Sequence, residues 1–161
     1  MKVQNIIDED VVNYKKTSMF IGTIKCDGKC WKDLGMKKDL CQNYSLYNKP
    51  HFDYPDDAII DRYIKNPLSH AIVFGGLEPL LQQEELLTFI DTLRNKYKCA
   101  DDVVIYTGYY IYEIKDFVDN ISKYENIIIK YGRYIPNRNK VYDSILGITL
   151  ASDNQFAVKI S

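Results

Sequence analysis

The chain alternates short apolar, β-branched runs with segments whose apolar residues recur every three or four positions. TSMFIGTI (17–24), SHAIVFGG (69–76), DDVVIYTG (101–108) and NIIIKYGRY (126–134) are the runs. Runs this short and this apolar predict strands buried on both faces. Between them, PDDAIIDRYIKN (55–66) opens with proline and two acids, as a helix N-terminus prefers. QQEELLTFIDTLRNKYK (82–98) puts Leu86, Leu87, Ile90, Leu93 and Tyr97 on one helical face. YEIKDFVDNISKY (112–124) does the same with Ile114, Phe117, Val118 and Ile121. The tail is expected to cross the top as a loop and end in a strand at 155–160. Strands separated by helices imply right-handed crossovers, hence an α/β fold with a mostly parallel sheet.

Composition narrows the class without choosing a function. At 161 residues the chain is expected to form one domain, 1–161. A net charge of -1 gives no argument for nucleic acid or an anionic membrane. No apolar run approaches the roughly 20 residues of a spanning helix. The opening MKVQNIIDEDVV is acidic and lacks a signal-peptide core, so a cytoplasmic location is expected. In that setting, clustered cysteines read as reduced metal ligands rather than disulfides.

Three of the four cysteines crowd into KCDGKCWKDLGMKKDLCQN (25–43), as Cys26, Cys30 and Cys41. Three thiolates can hold three corners of a [4Fe–4S] cluster and leave one iron for an outside ligand, since such clusters usually take four cysteines. Zinc with His51 or Cys99 as a fourth ligand, or no metal, are the alternatives that spacing leaves open. The loop follows the first apolar run. GGLEP, TGYY and GRY follow the other three. In parallel α/β folds chemistry gathers at these C-terminal strand ends, so the four loops point to one site. Glycines at 75 and 76 let backbone approach a ligand closely, and Glu78 is a charge-assisted acceptor for an ammonium. A plain strand-to-helix turn explains the same residues. Cys99, His51 and His70 read as structural or surface groups.

CDGKCW resembles the start of the radical S-adenosylmethionine (SAM) signature, C-x3-C-aromatic-x-C. The third cysteine of that pattern would fall at Asp33. Here it comes at Cys41, eight residues later, followed by Gln42 and Asn43 as in the Cys-x-Asn that closes the loop in activating enzymes of the superfamily. GGLEP resembles the GGE motif with Leu77 inserted. VVIYTGYY, KYGRY and ASDNQ resemble, in order, the third-strand Tyr-Thr-Gly, the Asp-Gly-Arg-Phe and the Gly-Ser-Ser-Asn-Gln of the family of anaerobic ribonucleoside-triphosphate reductase activating proteins. Asp10-Val11-Val12-Asn13 matches a segment before its first strand. The resemblance spans nearly the whole chain, with insertions in both key motifs that suggest a divergent branch.

The resemblance implies a partial, open (β/α) barrel. It implies a [4Fe–4S] cluster on Cys26, Cys30 and Cys41 and SAM held by Gly75, Gly76 and Glu78. Trp31 would lie near the adenine, Thr107 would offer a hydroxyl, Arg133 would hold the SAM carboxylate or a partner surface, and Asn154 would bond the ligand or cap the sheet. It implies reductive cleavage of SAM to a 5′-deoxyadenosyl radical, an external flavodoxin- or ferredoxin-type electron donor, and a glycyl-radical enzyme as protein substrate. Alternatives are radical chemistry on a peptide or small molecule, or a non-catalytic Fe–S or zinc module. Lys32, Lys37 and Lys38 in the insertion form a small basic patch, either solvated or a docking point.

Overall fold

A computed structural model describes residues 1–161. Six strands form its main sheet: β1 (Asn5–Asp10), β2 (Ser18–Thr23), β3 (Ala71–Gly76), β4 (Asp102–Tyr106), β5 (Ile127–Tyr131) and β6 (Phe156–Lys159). Their spatial order is β6-β5-β4-β3-β2-β1, so every strand lies beside its neighbour in sequence. The pairs from β2 to β5 are parallel, while β1 and β6 close the two edges antiparallel. The sheet does not close on itself into a barrel.

The four apolar runs are the four parallel strands, and their burial explains their composition. Val103, Val104 and Ile105 of β4 and Ile127, Ile128 and Ile129 of β5 are all buried, because both faces of the sheet are covered. One face packs against α1 (Asp56–Ile64), α2 (Gln83–Asp91) and α3 (Lys115–Ile121), through Ile59, Ile60, Tyr63, Leu86, Phe89, Ile90, Phe117 and Ile121. Tyr14, Leu146 and Leu150 cover the other face against Ala71, Val73, Val104 and Ile128. Leu146 and Leu150 belong to a small hairpin, Val141–Asp143 with Ile148–Leu150, which lies within the segment expected to cross the top as a loop.

Two details differ from the sequence pattern. The helix predicted over 82–98 leaves α geometry after Asp91 and continues as a π turn, Thr92–Lys96. That shift turns Arg94 inward, where it donates to the carbonyls of Cys99 (2.6 Å), Asp101 (2.8 Å) and Glu125 (2.9 Å) and so caps the chain's return to the sheet. β1 was not predicted at all. Its NIIDED pattern alternates exposed and half-buried positions, as an edge strand allows, and its acids mask the β signal. No helix is long and apolar enough to cross a membrane.

Candidate functional site

The C-terminal ends of β2, β3, β4 and β5 open into a cavity of about 430 Å³. Its floor is the less covered face of the sheet: Phe20, Gly75, Tyr106 and Lys130. The small hairpin closes one side with Ile148 and Leu150, and the cysteine loop closes another. Cys26, Cys30 and Cys41 all line this one cavity, together with Gly75, Gly76, Glu78 and Thr107.

Glu78 is the best-anchored of these groups. Its carboxylate accepts from the Thr107 hydroxyl (2.8 Å), from the Gly108 amide (2.8 Å) and from the Leu80 amide (3.1 Å). The side chain therefore bridges the ends of β3 and β4. Thr107 in turn accepts from the Tyr109 amide at 3.0 Å, which fixes its hydroxyl as the donor to Glu78. Burial pushes the Glu78 carboxyl up to about 7, against the pull of those three donors. The inserted Leu77 is buried, and Gly76 adopts φ +86°, a left-handed turn that lets the chain make room for the extra residue. The Gly76 carbonyl accepts from Asn43 at 2.5 Å, so the Cys-x-Asn end of the cysteine loop is tied directly to the glycine pair.

The cysteine loop has little core of its own. Its helical turns, Lys29–Lys32, Lys38–Leu40 and Tyr44–Leu46, bury no residue. Polar ties hold it instead. Tyr109 donates to Asp27 at 2.8 Å. Lys29 pairs with Glu113 at 2.9 Å, Glu113 takes both arms of Arg133 at 2.7 and 2.8 Å, and Arg133 reaches Asp33 at 2.7 Å. The Arg133 bonds hold the Glu113 carboxyl down at about 2. Burial raises the Cys26 and Cys30 thiols, and nearby acids and, for Cys30, the other two cysteines push the same way. Cys30 sits close against Gly108, where an added Cβ would come within 3.0 Å of the sulfur.

Three residues singled out from sequence do not line the cavity. Trp31 folds back over Gly28, within 2.6 Å of where a Cβ there would stand, and its indole points at the Tyr47 hydroxyl. Arg133 is committed to Glu113 and Asp33. Asn154 donates to the Arg133 carbonyl at 2.8 Å and so caps the sheet end. Cys99 lies at the far end of the helix layer and packs against the core there. His51 and His70 are exposed.

One cavity residue was missed. Lys130 is 7% exposed, and its ammonium finds only the Gly132 carbonyl at 3.2 Å and the Tyr106 ring at 5.8 Å. It forms no salt bridge, and burial pushes its pKa down to about 8. A lone lysine within the apolar run NIIIKY is a signal available from sequence, because lysine is almost never buried without a partner.

A family model described as a 4Fe-4S single cluster domain matches residues 23–155. No curated protein and no solved structure matches the chain. The donor set fits such a cluster. No three His, Cys, Asp or Glu side chains converge tightly enough for a single metal ion. A cubane is larger, and each thiolate binds a separate iron, so three sulfurs that line one cavity without meeting at a point suit it better than zinc. Two of the sulfurs are held as thiols by burial and neighbouring negative charge, a bias that a bound cationic centre reverses.

Proposed function

The chain belongs to the 4Fe-4S single cluster domain family, and from that premise we propose that it is a radical SAM enzyme of the activating type. One observation carries the reading: three cysteines of a single loop share a cavity with an anchored carboxylate, a glycine pair and a buried, unpaired lysine. Cys26, Cys30 and Cys41 would hold the cluster. The cluster would supply one low-potential electron for the reductive cleavage of SAM, whose 5′-deoxyadenosyl fragment then takes a hydrogen atom from the substrate.

The chain's own residues account for the binding. SAM carries an amino acid end with an ammonium and a carboxylate. Glu78 offers an ammonium an acceptor already fixed by three donors, so little ordering remains to be done on binding. Lys130 offers a carboxylate the counter-charge it lacks in the free protein. Gly75 and Gly76 keep the floor flat between them. A side chain at 75 would meet the Phe20 ring at 2.9 Å. The small hairpin and the cysteine loop wall the cavity on two sides. Arg133 takes a supporting role in this scheme, tying the cysteine loop to the ends of β4 and β5. The sheet's open form suits a large substrate such as the glycyl loop of a partner enzyme.

Anaerobic reconstitution of Cys41→Ala tests the ligand set. Wild type should bind about four iron and four sulfide per chain, and the variant should lose the cluster's absorbance. Loading that survives would remove Cys41 from the set.

A further inference from the structure

We propose that the exposed surface of residues 32–44 docks a small acidic one-electron carrier protein. The inference rests on the reading above, in which an electron must come from outside the chain.

Charge is concentrated at this place. Residues 32–44 contain three lysines and two aspartates, with the exposed Lys25 and Lys49 beyond either end, in a chain whose net charge is -1. The acids are partly consumed. Asp33 is held by Arg133, while Lys32, Lys37 and Lys38 all stay exposed. Among the lysines stand Leu34, Leu40 and Tyr44, 40%, 50% and 45% exposed. These three stand within eleven residues of one another on a single loop. Exposed apolar side chains interspersed with lysines on one loop are the make-up of a protein contact.

The location gives the partner its chemistry. The same loop carries Cys26, Cys30 and Cys41, and its turns bury nothing. It walls the cavity with no core of its own, whereas the sheet and the helix layer lie behind the floor. A carrier seated on the loop stands nearest the cysteines. It gives up one electron, is oxidised by one equivalent, and leaves. Such transient contacts rely on charge complementarity for speed more than for affinity, which calls for an acidic face on the carrier.

The test titrates an oxidised acidic flavodoxin into the cluster-loaded protein by calorimetry and follows cluster reduction by the reduced flavodoxin in stopped flow. Lys37→Glu alters a side chain with no partner inside the chain. It should weaken binding about tenfold at low salt and slow reduction by the flavodoxin, while reduction by dithionite stays unchanged. Wild-type affinity should fall as salt rises. Leu34→Ser should weaken binding at every salt concentration. Unchanged flavodoxin affinity in Lys37→Glu overturns the proposal. So does a variant that slows only radical transfer to a protein substrate, since the surface then belongs to that substrate. A wild-type protein that binds flavodoxin and accepts its electron yet makes no 5′-deoxyadenosine supports the docking surface and overturns the SAM reading alone.

Discussion

Replacing Glu113 with glutamine removes the hub of the only ionic network that fastens the cysteine loop to the sheet. Glu113 takes both arms of Arg133, whose side chain is 4% exposed, and also pairs with Lys29. Glutamine keeps the shape and loses the charge. The carboxyl is held near 2 rather than 4.5, a gap that corresponds to roughly 3 kcal/mol. One edge of Glu113 meets water, and Asp33 remains to serve Arg133, so screening reduces the expected loss to about 1–2 kcal/mol. The sign sets the pH window. A carboxyl lowered by folding contributes stability above its unfolded value of 4.5, and that contribution fades as pH falls toward 2. Urea unfolding of the metal-free protein should therefore separate wild type from Glu113→Gln by about 1–2 kcal/mol at pH 7. The two curves should converge below pH 4. A gap under about 0.5 kcal/mol at pH 7, or one equally large at pH 3, would refute the reasoning. Cluster loading should fall with it, because Lys29 and Asp33 flank Cys26 and Cys30, the cysteines proposed to hold the cluster.

Other outcomes follow from the same geometry. Lys130→Met should stabilise the metal-free protein by about 2–3 kcal/mol in urea unfolding near pH 7, since it removes a buried cation held at about 8 instead of 10.5. The gain should shrink between pH 8 and 10.5, where the folded lysine sheds its proton first, and SAM affinity should drop at least tenfold. Glu78→Gln should weaken SAM binding, read by calorimetry, while iron content stays unchanged. Gly108→Ala should lower iron content, because the new methyl meets the Cys30 sulfur at 3.0 Å. Cys99→Ser should leave iron content and absorbance as in wild type.

The parallel core was legible because continuous apolar runs have no stable place except a sheet covered on both sides. Helix faces were legible in outline. Phe89 completes the buried stripe of Leu86, Ile90 and Leu93, against which Leu87 and Tyr97 pack half-buried, and the π turn after Asp91 adds Arg94 to the buried side. β1 and the small hairpin were not legible. An acidic edge strand and two three-residue strands bury too little to leave a pattern. The cavity itself followed from topology alone, as parallel strands bring their C-terminal loops together, and Cys26, Cys30, Cys41, Gly75, Gly76, Glu78 and Thr107 meet there. Trp31, Arg133 and Asn154 were placed by motif, and motif carries no information about what else competes for a side chain. Glu113 claims Arg133, and Gly28 leaves the open space that Trp31 fills. Lys130 was hidden for the opposite reason. It matches no motif, and its place in the apolar run NIIIKY, borne out by burial without a counter-charge, is what marks it.

The measurement that bears most directly on the account is 5′-deoxyadenosine formation by the anaerobically reconstituted protein given SAM and dithionite. The account predicts 5′-deoxyadenosine and methionine in equal amounts, dependent on reductant and abolished in Cys41→Ala and Glu78→Gln. A fully cluster-loaded protein that leaves SAM intact would contradict it.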